Sequence, residues 1–164
     1  MKKYLFLSLI VVVLGACVAA PAPKKTPLEI REFQTRSYDT KDVKLVMKSV
    51  MHTLQDEGFM IKQANVDLGL LTAQKEVDLG RNSFSPFPSR FGSDVRVANN
   101  AITEASANIS EYGEETRVRI NFQQKVLDNK GVTMKVRQIQ DTQFYQTFFS
   151  KVDKAVFLGK EKVQ

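Results

Sequence analysis

Apolar residues recur at helical spacing twice along this chain. Val43, Val46, Met47, Val50 and Leu54 stand at i, i+3, i+4, i+7 and i+11, a single stripe of an amphipathic helix. Asp39 and Thr40 offer N-cap oxygens ahead of it, Asp42 brings negative charge to the first turn, and Gly58 closes it as a C′ residue. The second stripe, Tyr145, Phe148, Phe149, Val152 and Val156, is wider and follows Asp141 as cap.

Elsewhere the period is two. Leu28 to Tyr38 alternates loosely and predicts an edge strand. Phe59 to Val66 and Leu70 to Val77 predict a hairpin joined at Asp67-Leu68-Gly69, with Gly69 able to take positive φ. Ala105, Ala107 and Ile109 alternate with polar residues, and Val118, Ile120 and Phe122 lie between Arg117, Arg119 and Asn121. Val132, Met134 and Val136 repeat the pattern between Thr133, Lys135 and Arg137, after a turn at Asp128-Asn129-Lys130-Gly131. The order β-α-β-β-β-β-β-α predicts an α+β domain: a single antiparallel sheet of about six strands with two helices packed on one face. Arg117, Arg119, Lys135 and Arg137 then fall on the solvent face.

One stretch breaks the pattern. Gly80 to Asn100 has no sustained period, contains Pro86 and Pro88, and is long for an internal loop. It sets Phe84, Phe87 and Phe91 among Arg81, Arg90 and Arg96, which makes these six residues the candidate partner-binding positions. A satellite of the core, or plain disorder, would account for the same residues.

The N-terminus carries an address. Lys2 and Lys3 precede an apolar run from Tyr4 to Leu14, too short for a permanent bilayer span, and Gly15-Ala16 supply the small residues of a cleavage site. Cys17, the only cysteine, follows directly. Leu14-Gly15-Ala16-Cys17 resembles the lipidation box of a bacterial lipoprotein, which implies a signal peptide over 1–16 and a mature chain beginning at an acylated Cys17. An ordinary secretory signal with a chance cysteine is the alternative. Val18 after the cysteine, where an Asp retains such proteins at the inner membrane, implies transfer to the outer membrane, facing the periplasm. Residues 17–27 form the lipidated cysteine and a Pro-rich tether, reaching roughly 30 Å when extended. Residues 28–164 form the domain.

Composition adds limits. The apolar fraction of 43% suits one folded domain, and loss of Lys2 and Lys3 lowers the net charge from +6 to +4. A sequence pI near 9.4 would suggest nucleic acid in the cytoplasm, but an exported lipoprotein does not meet it, so no nucleic acid partner is expected. Anionic head groups and acidic envelope groups are the counter-charges within reach. With Cys17 acylated, neither a disulfide nor thiol chemistry is possible within the chain.

Candidate chemistry is thin. Acyl transfer needs a base, most often His, and the only histidine, His52, sits in the first helix one position off its stripe. No set of ligands has metal-site spacing, and no Gly-rich phosphate loop occurs. Asp56-Glu57 and Glu111-Glu114-Glu115 are the dense carboxylates, both at element ends where exposed acids are routine. A non-enzymatic protein without a cofactor is expected.

Three segments carry a family resemblance: Gln34-Thr35-Arg36-Ser37-Tyr38-Asp39-Thr40, Leu54-Gln55-Asp56-Glu57-Gly58-Phe59 and Asp67-Leu68-Gly69-Leu70-Leu71-Thr72-Ala73. With Tyr145-Gln146-Thr147-Phe148-Phe149 and Val156-Phe157-Leu158, they resemble motifs of small, poorly characterised outer-membrane lipoproteins of Gram-negative bacteria. The matching positions are caps, turns and core residues, and none is catalytic. The topology is also similar to the helix-grip domains of the accessory lipoprotein of the β-barrel assembly machine. Two functions follow as expectations: an interaction module serving an envelope protein complex, or a carrier of an apolar ligand or lipid in a helix-grip cavity.

Overall fold

Thr26 and Glu29 decide how the domain begins. In the computed structural model, which describes residues 25–79 and 98–161, the Thr26 hydroxyl accepts the Glu29 N–H at 3.3 Å. The Glu29 carboxylate in turn accepts the Thr26 N–H at 2.6 Å. With Pro27 in the first turn, this capping box starts a helix, α1, Pro27–Phe33. The edge strand expected from Leu28 is therefore confined to β1, Thr35–Tyr38. Lys25 to Pro27, expected in the tether, belong to the start of the domain. The Thr26 backbone N–H, and after it the Thr26 hydroxyl, hold the Glu29 carboxyl below the usual range.

The first stripe forms α2, Val43–Asp56. Its N-cap is Asp42, whose carboxylate accepts the Leu45 N–H at 2.8 Å, rather than Asp39 or Thr40. The Thr40 hydroxyl sits one step earlier, on the Asp42 N–H. Val46 and Val50 have no exposed surface. Ser49 and Thr53 share the buried face because their hydroxyls bond back to the carbonyls of Leu45 and Ser49.

After Gly58 the expected hairpin follows as β2, Met60–Asn65, and β3, Leu70–Asp78. Its turn is held by the Asn65 side chain, which accepts the Leu68 N–H at 2.9 Å. Gly69 has φ 64°, and a Cβ there would stand 1.9 Å from the Ile109 carbonyl oxygen. The Ile109 N–H donates to the Gly69 carbonyl at 2.7 Å, so the two backbones touch at this point.

The remaining strands are β4, Ala98–Tyr112, β5, Glu115–Asp128, and β6, Thr133–Gln138, followed by α3, Thr142–Glu161. All pairings are antiparallel, in the order β2-β3-β4-β5. The far edge of β5 is shared end to end: Thr116 to Arg119 pair with β1, and Gln123 to Leu127 with β6. This is the expected α+β domain with α1 added. The core is complementary by strand: Ala105 and Ala107 of β4 stand beside Phe122 and Ile120 of β5, so the small residues make room for the large ones. All five residues of the second stripe are buried. Phe122 meets Phe59, Phe144, Tyr145 and Phe148 edge-on at 4.9 to 5.8 Å between ring centres.

Two expectations need correction. Residues 98–100, expected in the long loop, belong to β4: Asp78 pairs with Asn100, and Leu79 donates to the Asn99 carbonyl at 2.8 Å. Arg117 and Arg119 do lie on the open face of the sheet, but Lys135 and Arg137 do not. They pair with Val126 and Gln124, on the side that carries the helices, while Val136 pairs with Lys125 on the open side. A register shift at Val126/Leu127 accompanies the turn and sets the parity of β6.

Candidate binding groove between α3 and the sheet

A groove of about 540 Å³ opens between α3 and the helix-facing side of the sheet. Lys75, Val77 and Thr103 form its floor from the helix-facing side of the sheet. Phe122 and Phe59 close its inner end, and Phe144, Thr147 and Phe148 of α3 form one wall. Ile139 and Asp141, on the link from β6 to α3, continue that wall at the N-terminal end of α3. No single element makes this site, because its walls come from segments distant in sequence.

The polar groups lie at two places, around Glu57 and at the start of α3. The Lys75 ammonium donates to the Glu57 carbonyl at 2.6 Å and lies 5.8 Å from the centre of the Phe59 ring. The Lys151 ammonium pairs with the Glu57 carboxylate. The Asp141 carboxylate caps α3 by accepting the N–H groups of Gln143 and Phe144 at 2.9 and 3.3 Å. An aromatic trough whose two ammonium groups are engaged by Glu57, and whose lining holds as many carboxylates as ammoniums, suits an apolar group with polar contacts at its margin.

A second, more polar depression of about 510 Å³ lies between α1 and α3. Here the Lys25 ammonium donates to the Gln140 carbonyl at 2.7 Å and the Thr142 hydroxyl at 2.5 Å, 4.7 Å from the Phe33 ring centre. Residues 139–143 thus serve both the groove wall and the seat of Lys25. Nearby, the Arg36 guanidinium donates to the Asp153 carboxylate at 2.5 Å, which holds its own pKa above the ordinary value.

Two tyrosines are buried with different company. The Tyr145 hydroxyl accepts hydrogen bonds from the Gln34 amide and the Phe122 N–H, both at 3.1 Å. The Tyr38 hydroxyl is buried beside the Asp153 carboxylate without a hydrogen bond of good geometry. Burial pushes both phenols upward, and the Asp153 carboxylate adds to the effect at Tyr38.

The candidate residues named from the sequence fall elsewhere. Cys17, Arg81, Phe84, Phe87, Arg90, Phe91 and Arg96 lie outside the described residues. His52 is exposed on α2. Of the dense carboxylates, Glu57 is held at the groove edge and Glu114 pairs with Lys41 at 2.7 Å. Among the described residues no cluster of three His, Cys, Asp or Glu is arranged to hold a metal ion, and no helix is long and apolar enough to cross a membrane. The groove itself had no local signal. Phe144 lies outside the second stripe, and Thr103 and Lys75 read as ordinary strand residues.

No family model matches the chain, and no curated protein is detectably similar to it.

Proposed function

We propose that this chain is a periplasm-facing outer-membrane lipoprotein, anchored through Cys17, that acts as a non-enzymatic interaction module of an envelope complex. The observation that carries the reading is the open aromatic groove between α3 and the sheet. A trough open along one side admits apolar side chains of a partner polypeptide, with Lys75 and Lys151 at its edge. The volume beneath the helices is filled, since Val46, Val50, Val118 and Ile120 have no exposed surface. That favours a surface that docks a partner over a cavity that carries a ligand. The anchor rests on Leu14 to Cys17, and the outer-membrane address on Val18.

The carrier reading keeps one supporting observation: the groove volume lies within the roughly 300–1,000 Å³ of small-molecule sites, and phenylalanines dominate its apolar lining. A photo-crosslinking residue in place of Thr147, on the groove wall, separates the two readings. Ser106, on the open face of the sheet, serves as the control position. Polypeptide adducts formed from Thr147 alone in intact envelopes are the expected result. A lipid adduct, or lipid co-purifying in native mass spectrometry, would move the assignment to the carrier. Adducts equal at both positions would overturn both. Independently, Cys17→Ser should release a folded protein from the membrane fraction, and continued membrane association would defeat the anchor.

A further inference from the structure

β6 pairs with β5 on one side and, among the described residues, has no strand on the other. The Ile139 N–H donates to the Phe122 carbonyl at 2.9 Å, and the alternation of an antiparallel ladder then directs the main chain of Arg137 and Lys135 toward β5. The N–H and C=O groups of Val136 and Gln138 consequently point away from the sheet. All six residues of β6 are exposed, and Val132, Met134 and Val136 keep 51%, 46% and 49% of their surface in water.

We infer that this edge binds an extended polypeptide segment by strand addition, and that the segment alternates acidic with apolar residues. The charge pattern selects the occupant. Lys135 and Arg137 stand on the helix-bearing side of the edge, and Val136 stands between them on the open side. Lys135 makes no ion pair among the described residues. Arg137 gives its Nε–H to the Gln124 side chain at 2.9 Å, which leaves its other guanidinium donors for a carboxylate. A residue opposite Lys135 or Arg137 meets a cation, and a residue opposite Val136 meets an apolar surface.

A second copy of this chain fits poorly. A two-fold pairing centred on Val136 would set Lys135 against Arg137, and one centred on Arg137 would set that residue against itself, like charges in either case. Edge lysines also discourage indiscriminate pairing, but here the cations flank an exposed apolar residue without covering it. That arrangement discriminates among partner strands, excluding basic ones and admitting acidic ones. No β6 residue lines the groove. The inference shares with the proposed function only the expectation of a polypeptide partner, and it can fail alone.

The test uses the purified full chain and a fluorescent peptide with alternating Val and Glu. Binding is read by anisotropy, and amide hydrogen exchange is read at Val136 and Gln138. Binding with slowed exchange at those two amides is expected, and Lys135→Glu with Arg137→Glu should weaken it by at least about tenfold. A peptide with Lys in place of Glu should bind the charge-reversed chain and not the original. Because the double variant could misfold, a second arm leaves the protein unchanged: N-methylation of every other peptide residue should abolish binding. The proposal is overturned by absence of binding at millimolar peptide, by binding without slowed exchange at 136 and 138, or by affinity indifferent to charge reversal. Loss of binding in Phe144→Ala would also overturn it, assigning the peptide to the groove and leaving the groove reading intact.

Discussion

The Tyr145 hydroxyl accepts the N–H of Phe122 at 3.1 Å, filling the gap in the β5 edge between β1 and β6. On one side of it the Ile120 N–H donates to the Gln34 carbonyl at 3.0 Å, and on the other the Ile139 N–H donates to the Phe122 carbonyl. A side chain from α3 thus completes the ladder where no strand is present. Every buried backbone donor needs such a partner.

Tyr145→Phe leaves the Phe122 N–H buried without an acceptor and removes one bond from the Gln34 amide. The expected cost is about 1–3 kcal/mol, read as a lower urea midpoint. Tyr38→Phe removes a hydroxyl that lies near Asp153 without a well-formed hydrogen bond, so its midpoint should fall by less than that of Tyr145→Phe. Equal losses in the two variants would contradict this assignment.

The same two phenols set the behaviour in alkali. Both are raised above the ordinary tyrosine value in the folded chain. Below about pH 10 the unfolded chain keeps its phenols protonated as well, and their contribution to stability is fully present. Above that pH the unfolded state loses protons that the folded state retains. Stability should then fall by about 1.4 kcal/mol per pH unit for each tyrosine until the raised folded values are passed. Phenolate absorbance from Tyr38 and Tyr145 should therefore appear together with unfolding and not ahead of it.

The helical stripes were legible because burial on α2 and α3 follows a period the chain states openly. Val46, Met47, Val50 and Leu54 are core, as are Tyr145, Phe148, Phe149, Val152 and Val156. The hairpin at Gly69 was legible for the same reason. α1 was hidden because the alternation at Leu28 and Ile30 competes with the Thr26-to-Glu29 capping box, and the cap prevails when Pro27 fixes the first turn. The orientation of β6 was hidden because one register shift inverts a strand, and a shift leaves no mark on the alternation itself. The groove was beyond reach altogether, since Lys75, Thr103, Ile139 and Phe144 converge only through tertiary packing.

Gly69 and Gly131 both have positive φ, but only Gly69 abuts another backbone. Gly131→Ala should cost about 1 kcal/mol, the strain of a left-handed alanine. Gly69→Ala adds a collision with the Ile109 carbonyl and should cost more, with loss of the close contact to β4. Comparable melting of the two variants would show that the hairpin yields without penalty.

Val50→Asp buries a carboxylate where the parent has no exposed surface, at a cost of several kcal/mol, enough to unfold much of the population. His52→Ala, on the exposed side of the same helix, should melt as the parent does. Circular dichroism on both variants checks the pair.

α1 and β1 have a consequence for the order of events. A chain made or exported from its N-terminus presents Pro27 to Tyr38 ahead of the rest of the domain, yet the surfaces that receive this strap come late. Thr35 pairs with Arg119, and Gln34 bonds Tyr145, which lies 111 residues further on. Contacts so remote form only after long loops have closed, whereas the β4–β5 hairpin needs nothing beyond its own turn. The first piece of the domain to emerge is therefore the last to be fixed.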